Sequence, residues 1–486
     1  MGAGGVVIEP RTSGLSEKLR SAYTWLSTHA LVCPFADIEY GEQVVLGPSG
    51  TEVRCQRGEA LSSYVLLPLL NLVVGQRLLF VGAPGRGKTT VATLMGLLAG
   101  GSLAEVRRAT QHGHPQLTIA DLLGSPLPSQ LIEARDAAEI PVNWRSWIRR
   151  RVKIIDEYNR IPTKTQSALL SLMAEGYAEL YEQIVESGRS AWYLTANDDL
   201  GGGTFEVIAA LKDRIDIVVR AVPFSGREVG RLAGRLATAE EPTHQVPREL
   251  VFSESELDAL EQRVRDTPVA ASALQVLGML SAHLDFCRQA SRQLEFMSKD
   301  TLHLSGRQVA HVCTEDCPLD KHENICSQVE NGISARAHLS TLMFAKAIAF
   351  FRGAAEATLE DVRVVLPWTL HHKLRPNQHS VYFHKEEHRV HLHDRVAWIQ
   401  QLFDRCVVQL ASGESERSEA RQVLASALPQ PESESALARE LASLEQIMAT
   451  LSSEHELNAL VHRDLVALKR RHATLRRQAS DLGGPQ

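Results

Sequence analysis

The chain has 486 residues, 44% of them hydrophobic and 23% charged, with a formal net charge of −6. That balance excludes a disordered chain and a general nucleic-acid binder, and the length predicts roughly three domains. No run reaches the ~18 apolar residues of a membrane span. MGAGGVVIEP lacks a basic-then-apolar leader, and seven cysteines without a secretion signal point to a reducing, cytoplasmic compartment.

In chain order, residues 14–29 (GLSEKLRSAYTWLSTH) read as an amphipathic helix. VVLG (44–47) and TEVRC (51–55) flank a PSG turn and suit a small hairpin. LLFV (78–81) is short and apolar, as a buried parallel strand is. It runs into VGAPGRGKTT (81–90), where Gly82, Gly87, Lys88 and Thr89 fit GxxxxGK[ST]. Glycines let backbone N–H groups turn inward around phosphate oxygens, and the helical TVATLMGLLAG that follows points its positive end at them. Lys88 is expected at the β- and γ-phosphates and Thr89 on Mg²⁺. Gly85, Pro84, Arg86 and Thr90 complete the candidate nucleotide loop, so ATP and Mg²⁺ are the expected cofactors.

A second apolar run, RVKIIDEYNR (151–160), ends in two acids. Asp156 is placed to hold Mg²⁺ through water, and Glu157 to polarise an attacking water. The bland alternative is an acidic turn, but a buried strand puts both acids at its C-terminal tip, where open α/β sheets bind ligands. A nucleotide-holding scaffold needs no Glu157, which favours hydrolysis. AWYLTAND (191–198) makes a third strand with Asn197 at its tip, able to orient that water. NWRSWIRRRVK (143–153) interleaves tryptophan with cations. It suits either stacking on nucleic acid, which the net charge disfavours, or tryptophans packed inward with arginines in solvent.

HVCTEDCPLDKHENIC (311–326) spaces Cys313 and Cys317, then His322 and Cys326, four apart. Two such pairs can fold around one tetrahedral Zn²⁺ with an S₃N shell; the alternative is unligated, partly buried side chains. Seven histidines between 371 and 393 lack the spacing of a catalytic zinc helix and are expected to pack or face water. From 430, Leu437, Leu441, Leu444, Met448 and Leu451, then Val461, Leu465 and Leu468, follow a 4–3 pattern broken at SSEHE. An antiparallel helical hairpin is expected, packed on its own domain or binding a partner.

The order GAPGRGKTT, IIDEYNRIPTKTQSALLSLMAEG, YLTAND, ALKDRIDIVV, and GISARAHLSTLMFAKAIAFFRG with TLEDVRVVLPWTLHHKL resembles the AAA+ ATPases, and within them the MoxR family, over roughly residues 57–375. The resemblance implies an α/β P-loop domain with a parallel sheet flanked by helices, an all-helical lid, and here a helical C-terminal extension. Its expected boundaries are 1–56 for an N-terminal helix and hairpin, 57–224 for the ATPase domain, 225–375 for the lid and 376–486 for the extension. It makes Asn197 the sensor-1 residue, Arg214 an arginine finger offered to a neighbouring subunit, and Arg336 the sensor-2 arginine. Arg214 could otherwise be a helix-end cation, and Arg336 a solvated one. It also implies a pore-side reading for 143–153, a homo-oligomeric, hexameric ring, and a remodelled protein partner bearing a von Willebrand factor type A domain. A metal-chelatase-like motor subunit and a nucleotide-gated scaffold are the alternatives.

Overall fold

The computed structural model describes residues 12–31, 35–48, 53–127, 129, 140–197, 213–221, 225–238, 241–313, 317, 319, 324–412, 434–454 and 457–482. The chain divides into two compact units, Met1–Ala270 with Ala335–His372, and Ala271–Ser334 with Lys373–Gln486.

The first unit is built on a five-stranded sheet: β1 Arg77–Val81, β2 Gln111–His112, β3 Val152–Asp156, β4 Ala191–Ala196 and β5 Ile217–Arg220. The strands are all parallel in the order β5-β1-β4-β3-β2. The three apolar runs singled out in the sequence are thus its central strands. Ala196 sits opposite Val81, and Leu194 opposite Ile155, so the C-terminal ends of β1, β3 and β4 finish side by side. That register is what gathers the phosphate loop, the acid pair and Asn197 at one edge.

Both faces of the sheet are buried, because successive side chains of a strand point opposite ways. Trp192, Leu194 and Ala196 join Leu79, Ile155, Leu169, Leu172 and Met173 on one side, under helix Thr163–Ala174. Tyr193 points the other way: its ring stacks on Phe80 and its hydroxyl donates to the Pro68 carbonyl at 2.8 Å. Pro68 lies in helix Ser63–Val74, every residue of which is buried, and which packs on β4, β5 and the helix Lys88–Leu98. A helix apolar all round belongs in an interior. Each fully buried Leu or Phe here contributes about 1.5–3 kcal/mol.

The Trp/Arg stretch takes its packed form. Trp147 is buried, donates its indole N–H to the Leu122 carbonyl at 2.7 Å, and meets Trp192 edge to face; Trp144 packs against the same core. Arg150 pairs with Glu105 at 3.1 Å and Arg151 with Asp258 at 2.5 Å. Lys153 is not outward-facing at all. It is buried in β3, donates to the Arg150 carbonyl at 2.7 Å, and burial pushes its pKa down to about 7.

Gln43–Leu46 pairs antiparallel with Val53–Gln56, and residues 49–52 at the turn lie outside the described ones. Three further helices, Glu254–Asp266, Ala335–Arg352 and Leu359–Leu370, pack in the same unit as the sheet, the second against Ser63–Val74. The architecture is therefore a parallel sheet with flanking helices, followed by a helical lid and a helical C-terminal region.

In the second unit, helix Ala271–Asp285 packs against Arg395–Ser412 and against Ala459–Leu482. The latter pairs with Glu434–Glu454 through Leu437, Leu444, Ile447, Leu451, Leu465 and Leu468. Two long helices joined across only residues 455–458 can pack along each other only as an antiparallel hairpin. Arg471 pairs with Glu440 at 2.7 Å and Arg476 with Glu445 at 3.1 Å, joining basic and acidic arms. Of the histidines expected to pack or face water, His388 and His391 pack, stacking with Tyr382, whose hydroxyl meets His391 Nδ1 at 2.8 Å. Among the described residues no helix is long and apolar enough to cross a membrane.

Candidate active site

The phosphate loop leaves β1 through Gly82 (φ 148°), Gly85 (φ 74°) and Gly87 (φ 74°) and enters helix Lys88–Leu98 directly after Gly87. Those positive φ angles are cheap only for glycine, and they turn the loop over the helix start. Tyr64 steadies the loop by donating to the Arg86 carbonyl at 2.8 Å. Lys88 is buried within it. Its ammonium donates to the Gly82 carbonyl, to the Ala83 carbonyl at 2.9 Å and to Asn197 Oδ1 at 2.8 Å.

Thr89, one residue on, donates to Asp156 Oδ1 at 2.8 Å across the gap between helix and β3. Thr195 donates to the same oxygen at 2.6 Å and accepts the Glu157 N–H at 2.9 Å. Asn197 Nδ2 donates to Glu157 Oε1 at 3.3 Å, and Arg160 holds Glu157 Oε2 at 3.1 Å. Lys88, Thr89, Asp156, Glu157 and Asn197, from three stretches far apart in sequence, form one bonded group.

The backbone bends sharply to bring this about. Glu157 has φ 54° and ψ 46°, the left-handed region that costs a non-glycine residue about 1–2 kcal/mol. Such strain persists where the surroundings fix it, and gathers at functional sites. Here Gly113 fixes it, donating to the Asp156 carbonyl at 2.7 Å; a Cβ on Gly113 would stand 2.2 Å from the Glu157 carbonyl oxygen. His112, on β2, adds a ring nitrogen 3.6 Å from Asp156 Oδ2. Asn159 donates to the Asn197 carbonyl at 3.3 Å.

The two arginines lie in another part of the same unit. Arg336, at the start of helix Ala335–Arg352, pairs with Asp213 at 3.5 Å, and Arg214 is the next residue in the chain. Asp216 is buried and engaged by Arg77 at 3.0 Å and by Ser340 Oγ at 2.6 Å. A cavity of about 590 Å³ opens elsewhere, at the far end of the phosphate-loop helix, beside Gly100, Arg150 and Phe252. No phosphate-loop residue lines it, and its Arg150 and Arg151 are paired with acids, so the chemistry belongs to the strand tips.

These observations agree with the comparisons. Residues 77–215 match the AAA domain of the dynein-related subfamily, and residues 321–389 the AAA lid domain. The core is that of an AAA+ ATPase. A crystal structure of a candidate ATPase from Cytophaga hutchinsonii ATCC 33406 is similar to this chain in fold, with a TM-score of 0.51 and 15% identity. The similarity covers 80% of this chain and 95% of that one. No curated protein matches the chain.

Sequence reasoning missed Thr195, Asn159, His112 and Gly113 around this AAA+ site. Thr195 lies two residues before Asn197, but inside an apolar strand it reads as β-branched filler. The zinc expectation stands differently. Cys313, Cys317 and Cys326 form no disulfide, and His322 lies outside the described residues. Among the described residues no group of three or more His, Cys, Asp or Glu side chains is arranged to hold a metal ion.

Proposed function

We propose that the chain hydrolyses ATP, with Mg²⁺, as a MoxR-type AAA+ ATPase working in the cytoplasm as a hexameric ring. Residues 57–224 act as its ATPase part and 225–375 as its lid. Each round of hydrolysis remodels a partner protein, one bearing a von Willebrand factor type A domain. The observation that carries hydrolysis is Glu157: a carboxylate at a strained strand tip, held by Asn197 and Arg160 next to the Lys88–Asn197 bond.

ATP phosphates compete for the Lys88 ammonium with the Gly82 and Ala83 carbonyls. The hydroxyl of Thr89 and the carboxylate of Asp156 already meet, a hard-oxygen donor pair that fits Mg²⁺. Thr89 and Asp156 would hold that ion, which when bound offsets phosphate charge. Glu157 takes a proton from the attacking water, and Asn197 fixes where that water sits. Asp213 and Asp216, the acids nearest Arg214 in sequence, are engaged by Arg336, Arg77 and Ser340. The resemblance to the family supports a finger role for Arg214 toward a neighbouring subunit, and a nucleotide role for Arg336 once Asp213 releases it.

Glu157→Gln tests the assignment. It should bind ATP within a few-fold of wild type and lose at least 100-fold in turnover, the scale of general-base catalysis. Lys88→Ala should weaken binding itself. Near-normal turnover in Glu157→Gln would overturn the reading.

A further inference from the structure

In the second unit, residues 328–330 run beside 375–377. Val329 bridges antiparallel to Pro376, the Glu330 N–H donates to the Arg375 carbonyl at 2.8 Å, and the Asn377 N–H to the Gln328 carbonyl at 2.9 Å. His303, in helix Lys299–Leu304, joins them with its Nε2 at 2.8 Å from the Glu330 carbonyl. Helix Arg395–Ser412 joins through Trp398, whose indole N–H donates to Gln328 Oε1 at 3.3 Å. These ties make His303, Glu330, Arg375, His379 and Arg395 line one cavity of about 490 Å³. That size suits a small molecule.

The charge of this lining is lopsided. Two guanidinium groups share it with a single carboxylate, Glu330, whose Oε2 is taken by the Val309 N–H at 3.2 Å. Among the described residues no acid pairs with Arg375 or Arg395. Arg395 donates from Nε to the Leu392 carbonyl at 3.2 Å, while its Nη1 is buried and makes no hydrogen bond. The Trp398 ring, 5.5 Å from the guanidinium carbon, steadies its flat face but cannot accept from its edge. Arg395 also opens an 18-residue helix, where a cation is disfavoured. Asp394 caps that helix by accepting the Ala397 N–H at 3.0 Å rather than by meeting the guanidinium. A buried donor on a cation, left without an acceptor, is costly. Such a cation calls for an anion.

We propose that this cavity binds the oxyanion group, phosphate or carboxylate, of a small soluble molecule, held by Arg395 and Arg375. Planar guanidinium forks match the paired oxygens of either group. The bound oxyanion supplies the acceptor that Arg395 Nη1 lacks, and the start of helix Arg395–Ser412 favours the same sign of charge. Glu330 keeps Oε1 for a hydroxyl or amine on the rest of the ligand, and its charge disfavours molecules that are anionic throughout. None of these residues belongs to the phosphate loop or its acids, so the site stands beside the ATPase reading and does not rest on it.

The test is calorimetric titration of the full chain carrying Lys88→Ala, which removes the phosphate-loop ammonium as a competing anion site. Inorganic phosphate and citrate are the separate probes. At least one should bind saturably; phosphate alone would assign a phosphate-bearing ligand, citrate alone a carboxylate. Arg375→Gln, at an exposed position, should weaken that binding about tenfold or more, the scale of one charge-assisted hydrogen bond. Arg395→Met should weaken it at least as much, yet leave the melting temperature of the ligand-free chain unchanged or raised, since it removes an unsatisfied buried donor. Arg477→Gln, exposed and outside the cavity lining, should change neither. No binding of either probe, or binding as tight in Arg375→Gln as in its parent, would overturn the proposal. So would an Arg395→Met chain that melts lower without ligand and still binds as its parent does, because that arginine would then be a structural cation. Should Arg395→Met not fold, the Arg375→Gln titration decides alone. No readout involves hydrolysis, so this site and the ATPase reading can fail separately.

Discussion

Thr195 holds the two acids of the site in different ways: it donates to the Asp156 carboxylate and accepts the backbone N–H that fixes Glu157 in its left-handed turn. Thr195→Val keeps the shape and removes both bonds. A buried group left without its partner costs about 1–3 kcal/mol, and about 1.4 kcal/mol in a barrier is tenfold in rate. Turnover should therefore drop about tenfold or more while ATP affinity changes little, since the phosphate loop is untouched. Steady-state rates with an equilibrium nucleotide titration check this, and an unchanged kcat would remove Thr195 from the account. The acids and Asn197 were legible because each ends an apolar strand. Thr195 was not, because a threonine inside such a strand reads as an ordinary β-branched filler until its neighbours across the sheet are known.

Elements that announce themselves by periodicity were found where expected, whereas those defined by their surroundings were not. Helix Ser63–Val74 has no polar face, so its apolar run carries no helical period, and only its burial against the sheet explains it. The leucine pattern after 430 gave the hairpin, but its packing partner within the unit, helix Ala271–Asp285, lies more than 150 residues earlier and leaves no mark on the pattern. The hairpin's seam should then be a stabilising core. Leu444→Ala, at a fully buried position, should cost about 2–5 kcal/mol, against within about 0.5 kcal/mol for Leu304→Ala at a 90% exposed one. Chemical denaturation of both variants measures it; equal costs would mean the helices do not pack as a core.

At the scale of the whole molecule, the phosphate loop, the two acids and Asn197 meet within one chain, while the resemblance offers Arg214 to a neighbouring subunit. The proposal that neighbouring subunits share one active site makes a demand that no single-chain property makes. Lys88→Ala subunits cannot hold ATP but keep Arg214, whereas Arg214→Ala subunits hold ATP but lack the cation that stabilises the transferred phosphoryl group. Each variant alone should be inactive. Mixed over a range of ratios, they should give ATPase activity above either parent, because some interfaces then join an intact phosphate loop to an intact arginine. Activity that never rises above the parents at any ratio, in subunits shown to co-assemble, would contradict a shared hydrolytic site.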